Sequence, residues 1–138
     1  MSLSIRNQIA GTVASVTTGE AMATVKVRLA GGQDITAAIT TESVKELGLA
    51  AGSEVKILVK STEVSLATGP VSGVSIRNQI AGTVTDVAAG GAMASVKVDV
   101  EVGALTAAIT NDAVADLGLA SGSSVVALIK STEISLAV

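Results

Sequence analysis

The chain has no Cys, His, Phe, Tyr or Trp and a single proline in 138 residues. Each absence removes a class of chemistry. Without thiolate or imidazole there is no donor set for a Cys/His zinc site. There is also no Ser–His or Cys–His nucleophile pair, and no histidine general base. Without aromatic rings there is no platform on which unpaired bases could stack. A membrane span is missing too. Mean hydropathy is high at +0.64, yet the longest uncharged runs, such as Val64 to Ile76, stop well short of the ~18 apolar residues a spanning helix needs. Met1 to Ser4 lacks a basic start and an apolar stretch, so no secretory signal is expected. The expectation is a soluble, cytoplasmic protein.

Charge excludes more. The formal net charge is −3 with a pI near 4.8. Residues 1–70 carry six basic and six acidic side chains, whereas residues 71–138 carry three and six. An acidic chain is a poor general binder of phosphate polymers, so no nucleic-acid partner is expected. Any anion it holds must be held by a local cluster of donors. Glu42, Glu46, Glu54 and Glu63 are scattered on polar faces and read as solvated surface. No Walker or GxGxxG pattern occurs. The chain is therefore not expected to be an enzyme or to hold a free metal cation.

What is present is a duplication. SIRNQIAGTV runs from Ser4 to Val13 and returns unchanged from Ser75 to Val84. An offset of 71, and then of 70 after one residue is lost near Gly31 to Asp34, aligns the rest. Roughly 40 of about 64 aligned positions are identical, which marks an internal repeat. Repeat 1 spans residues 1–67 and repeat 2 spans residues 75–138. Residues 68–74 read as a linker holding the only proline, Pro70.

Within a repeat the apolar period is two. From Ala21 to Leu29 the odd positions are apolar, while Lys26 and Arg28 face the other way, as in a half-buried strand. Ile35 to Ile39, Val55 to Val59 and Glu63 to Leu66 read as further strands. Ile5 to Val16 reads as a long first strand with a bend or bulge at Gly11. Thr40 to Leu49 breaks the pattern: Val44 and Leu47 are three apart, Thr40 or Thr41 can cap the start, and Gly48 can end it. The fold class is thus all-β with one short helix per repeat, as two tandem OB-like five-stranded barrels. About 65 residues without aromatics make a marginal core. The repeats are expected to pack together and the chain to oligomerise.

Three recurring stretches carry hydrogen-bond donors. They are Ser4-Ile5-Arg6-Asn7 with Ser75-Ile76-Arg77-Asn78, Thr40-Thr41-Glu42-Ser43 with Thr110-Asn111-Asp112-Ala113, and Lys60-Ser61-Thr62 with Lys130-Ser131-Thr132. Singly, Arg6 is a surface charge, Lys60 a strand end and Thr40 a helix cap. Together they supply two cations, several hydroxyls and the free N–H groups of a helix start, which suits a tetrahedral dianion. Charge-assisted hydrogen bonds contribute roughly 1.5–3 kcal/mol each, so a handful suffices for micromolar binding, about −8 kcal/mol.

SIRNQIAGTV, TAAITTESVKELGL and LVKSTEVSL, in this order and twice over, resemble the molybdenum-pterin-binding (Mop) domain. Two such units in tandem resemble a di-Mop molbindin. The resemblance implies OB-like barrels that bind molybdate or tungstate as the oxyanion, with no covalent cofactor. It implies sites between domains and subunits, strand exchange between neighbouring domains, a homotrimer, and a role in intracellular molybdenum storage or homeostasis. The family's ligands then fall on Ser4, Arg6, Thr40, Ser43, Lys60 and Ser61, and in repeat 2 on Ser75, Arg77, Thr110, Lys130 and Ser131. Position 113 is Ala where repeat 1 has Ser43. The alternatives are an OB-like oligomerisation scaffold or a nucleic-acid module, and the missing aromatics argue against the latter.

Overall fold

The computed structural model describes residues 2–138. Repeat 1 supplies β1 (Asn7–Thr18), β2 (Met22–Arg28), β3 (Asp34–Thr40), α1 (Thr41–Leu47), β4 (Glu54–Val59) and β5 (Ser65–Ala67). Repeat 2 supplies β6 (Asn78–Ala89), β7 (Met93–Val100), β8 (Gly103–Thr110), α2 (Asn111–Leu117), β9 (Ser124–Ile129) and β10 (Ser135–Ala137). One 3₁₀ turn precedes each last strand, at Ser61–Glu63 and Ser131–Glu133. The helix falls between the third and fourth strands of each repeat, as its sequence pattern predicts.

Alternation decides which face goes in. Ala23, Val25 and Val27 of β2 are buried, and Lys26 and Arg28 between and beyond them are exposed. Each helix is capped at both ends. The Thr40 side chain accepts from the Ser43 backbone N–H, and Gly48 takes the left-handed conformation at φ 63°. Thr110 and Gly118 repeat this in α2.

All pairings are antiparallel, and each sheet has five strands, but the sheets do not follow the repeats. One sheet runs β10-β4-β1-β2-β3 and the other β5-β9-β6-β7-β8. The last strand of each repeat crosses to the other sheet: Ser135 pairs with Leu58 and Ala137 with Lys56, while Ser65 pairs with Leu128 and Ala67 with Val126. The exchanged strand then approaches the far edge, β10 toward β3 and β5 toward β8, which closes two OB-like barrels. The 3₁₀ turns cross as well, the first packing on β8 and the second on β3. One continuous core of Val, Ile, Leu and Ala therefore spans both repeats. A unit of this size buries too little apolar surface alone, and exchange makes each core depend on the other chain half.

Three details differ from the sequence reading. The bulge in β1 lies between Val13 and Ser15, with the same shift between Val84 and Asp86 in β6. Gly11 meets another demand, close approach: a Cβ there would stand 2.5 Å from Val27 Cγ1 and 3.1 Å from the Arg28 carbonyl oxygen. The first strand is displaced two residues, starting at Asn7, because Ser4 to Arg6 form an arm ahead of the ladder. The last strand starts at Ser65, since Glu63 belongs to the 3₁₀ turn.

Candidate anion-binding site

The register of β1 on β4 assembles the first group of donors. Asn7 pairs with Val59 at the end of the ladder. The residue before Asn7 is Arg6 and the residue after Val59 is Lys60, so antiparallel pairing sets the two cations side by side. Ser61 lies one step beyond Lys60 and Ser4 two steps beyond Arg6. In repeat 2, Asn78 pairs with Ile129, which sets Arg77 beside Lys130, with Ser75 and Ser131 beyond. Arg6, Lys60, Arg77 and Lys130 are all exposed.

The arm before each first strand is held by its own side chains. Arg6 Nε donates to the Ser4 carbonyl at 3.2 Å and its Nη2 to the Leu3 carbonyl at 3.0 Å. Gln8 Nε2 donates to the Ile5 carbonyl at 3.1 Å. Arg77 and Gln79 make the matching bonds to Ser75, Val74 and Ile76. The hydroxyls of Ser61 and Ser131 are buried and have no hydrogen-bond partner in the chain. A buried hydroxyl without a partner costs free energy, so it marks a place where a further acceptor or donor belongs.

Thr40 and Ser43 do not join this group within their own repeat. Thr40 pairs with Met22, at the end of the sheet where β1 finishes against Ala23. β1 has 12 residues. Its two ends stand roughly 36 Å apart along the strand at about 3.3 Å per residue. Across the repeats, the arm meets β8 at Thr106, and Thr110 lies four residues further on, roughly 13 Å along the strand. The donors therefore form two kinds of cluster: Ser4, Arg6, Lys60 and Ser61 (or Ser75, Arg77, Lys130 and Ser131) at one strand end, and a capped helix start at the other.

The two helix starts differ in one donor. In α1 the Thr40 hydroxyl donates to Ser43 Oγ at 2.8 Å and accepts from the Ser43 N–H at 3.1 Å. In α2 the Ala113 N–H keeps its bond to Thr110 at 3.1 Å, and the hydroxyl is gone. The change from Thr41 to Asn111 keeps the donor and adds an acceptor, Asn111 Oδ1, that is buried without a partner. Thr41 Oγ1 donates to the Gly19 carbonyl at 3.0 Å and Asn111 Nδ2 to the Gly90 carbonyl at 2.8 Å, so both tie the helix start to the preceding hairpin.

Two features went unread in the sequence. One is Glu63, which is half-buried and not a freely solvated surface group. Its carboxyl is pushed above the ordinary carboxylate range by a hydrogen bond with Glu133, then by repulsion from that same group and by desolvation, against the pull of Lys60 and Lys130. The other is the asparagine of the SIRN stretch. Asn7 and Asn78 are each 2% exposed, the most buried polar residues of the fold. A buried polar residue inside an otherwise surface-like motif was the signal available, and burial is not readable without the fold.

This chain matches the TOBE domain family twice, over residues 3–66 and 74–136. It is similar to the molybdenum transport protein ModE of Herbaspirillum seropedicae, 39% identical over 140 residues, covering 100% of this chain and 52% of that protein. It is 42% identical over 136 residues to the molybdenum-pterin-binding protein MopB of Rhodobacter capsulatus, with 97% of this chain and 50% of that one covered. The chain thus spans about half the length of these relatives. The molybdenum-pterin-binding protein 2 of Clostridium pasteurianum is 44% identical over 66 residues, covering 48% of this chain and 97% of that protein, a single repeat. Among solved structures, the cytoplasmic molybdate-binding protein ModG with molybdate bound superposes with a TM-score of 0.97 at 38% identity, covering 100% of this chain and 99% of that one. The chain belongs to the TOBE domain family, in the tandem molybdenum-pterin-binding branch.

Proposed function

We propose that the protein binds molybdate or tungstate reversibly, as a cytoplasmic store or buffer, without catalysis. The observation that carries this reading is the strand register that sets Arg6 beside Lys60 and Arg77 beside Lys130, each pair next to a buried hydroxyl without a partner. Two cations neutralise a dianion, and the serines and backbone N–H groups saturate its oxygens. The relatives support the ligand: their names are those of molybdenum-binding and transport proteins, and ModG carries molybdate.

The separation of the two donor clusters supports a site shared between chains, and the family resemblance makes the assembly a homotrimer. A complete set draws Ser4, Arg6, Lys60 and Ser61 from one chain and a capped helix start, Thr40 and Ser43 or Thr110, from a neighbour. Ser75, Arg77, Lys130 and Ser131 form the equivalent half in repeat 2. Hydrophobic residues exposed in matching pairs, Leu3 with Val74 and Met22 with Met93, suit burial against further copies. Phosphate at neutral pH carries a proton that needs an acceptor, so an all-donor site disfavours it. Cavity size then separates molybdate and tungstate from the smaller sulfate.

Native mass spectrometry tests this directly, with molybdate against sulfate at equal ionic strength. A trimer that gains a defined set of molybdate masses, absent with sulfate, supports the reading. A trimer that retains no anion refutes a tight store. Arg6→Ala with Arg77→Ala should lower molybdate affinity at least tenfold, on the loss of a charge-assisted contact contributing about 1.5–3 kcal/mol per site, while the fold is kept.

A further inference from the structure

We propose that Asn7 and Asn78 are positioning residues for oxyanion binding, each fixing the arm that carries a serine and an arginine by clamping the backbone of the opposite repeat. The proposal rests on the reading that Arg6 and Arg77 hold the anion. Asn7 Nδ2 donates to the Thr106 carbonyl at 2.9 Å, and Asn7 Oδ1 accepts from the Thr106 N–H at 2.8 Å. Asn78 does the same to Thr36 at 2.9 and 2.8 Å. A side-chain amide thereby takes the part of a strand partner, satisfying both backbone groups of one residue in the middle of β8 or β3.

Three strands meet at this point. Asn7 follows Arg6 directly, pairs with Val59 next to Lys60, and holds Thr106 of the other repeat. The side-chain bonds of Arg6 and Gln8 all stay within the arm, so they shape it without tying it down. The clamp is the side-chain hydrogen bonding that ties the start of β1 to the opposite repeat, whereas the start of β6 has a second tie, from Gln33 Nε2 to the Gln79 carbonyl at 3.1 Å. It sets the position of the Arg6 guanidinium relative to Lys60 and Ser61, whose 3₁₀ turn packs on the same strand, β8. Only an amide fits. Aspartate keeps the acceptor but turns a second acceptor toward the Thr106 carbonyl, and serine is too short to reach both groups.

The proposal separates from a purely structural role through epistasis. Molybdate affinity is measured by calorimetry for Asn7→Ser alone, in an Arg6→Ala background and in an Arg77→Ala background, with thermal denaturation of each. Asn7→Ser alone should weaken molybdate at least tenfold at the sites built on Arg6, leaving those built on Arg77. In the Arg6→Ala background it should cost clearly less, because of the arm's two donors only Ser4 remains to be misplaced, and in the Arg77→Ala background it should cost the full tenfold. An equal loss in both backgrounds overturns the proposal, since a general weakening of the fold would add everywhere. If Arg6→Ala itself leaves affinity unchanged, the site reading fails. If Arg6→Ala weakens binding and Asn7→Ser does not, the site stands and the clamp does not serve it. Should Asn7→Ser not yield folded protein, Asn7→Gln is measured in the same backgrounds. It keeps both amide groups on a stem one methylene longer, and the same pattern of loss is expected.

Discussion

Ile134→Ala should damage the barrel of repeat 1, although Ile134 lies in repeat 2. Ile134 is 3% exposed and sits between two elements that both cross over. The 3₁₀ turn before it packs on β3, and β10 after it pairs with β4. Cutting a buried Ile to Ala typically costs about 2–5 kcal/mol, combining lost transfer energy with a cavity that does not fully close. A value near 3 kcal/mol is expected, since the 3₁₀ turn packed before it and the ladder-bound strand after it resist collapse. For a chain of 138 residues, total stability is roughly 7–20 kcal/mol, so the loss is a large share. Urea unfolding should show a lower midpoint with an unchanged slope. Native-state amide exchange should locate the damage, with protection falling first in β4, β1 and β3. The mirror variant is Val64→Ala, with Val64 2% exposed ahead of β5. It should lose about 1.6 kcal/mol of transfer energy from two carbons, before any cavity, and open β9, β6 and β8 first. Protection lost first in β9 and β6 on changing Ile134 would refute the exchanged topology.

Repeat 1 alone lacks the strand that completes its sheet, so it should form a strand-exchanged dimer or a multiple of one. Light scattering that finds a stable monomer at micromolar concentration would contradict this. Restoring the missing hydroxyl by Ala113→Ser should tighten the sites that use α2, read as a lower molybdate Kd in calorimetry with no change in Tm above the noise. Gly11→Ala forces a Cβ against Val27 and should destabilise by about 1–3 kcal/mol, the usual cost of overpacking, visible in urea titration. The carboxyl of Glu63 is raised by its neighbour Glu133, so its protonated form favours the fold. That stabilisation is present below the ordinary carboxylate range and lost as pH climbs through the raised value. Glu63→Gln should therefore raise Tm at pH 7 relative to the parent and flatten its decline between acid and neutral pH. A Tm at pH 7 that is unchanged or lowered contradicts the pairing.

The letter-for-letter return of SIRNQIAGTV has a physical account in the structure. Arg6 and Gln8 bond the carbonyls of the arm, Asn7 clamps the opposite repeat, and Gly11 admits Val27. Four residues within six positions, meeting three kinds of demand, leave little freedom to substitute. Surrounding positions drift where one bond can be made in two ways, as at Thr41 and Asn111, which reach equivalent carbonyls with different donors. The sequence pointed to Ser4 and Arg6 as donors and passed over Asn7, because a buried asparagine and an exposed one look alike in a linear string.

Sequence by itself determined what depends on neighbours along the chain. Alternation of apolar residues marks strands because successive side chains point to opposite faces. Thr40 and Gly48 bound the helix because a capping hydroxyl and a left-handed glycine act within a few residues. The duplication, and the absence of redox, nucleophilic and stacking side chains, were likewise legible at once. The tertiary structure alone decided which sheet receives β5 and β10, how Arg6 comes to lie beside Lys60, and why Thr40 lies at the far end of the sheet from both. Those outcomes join residues tens of positions apart. They are set by core filling and ladder register over the whole chain, for which no local pattern carries a signal.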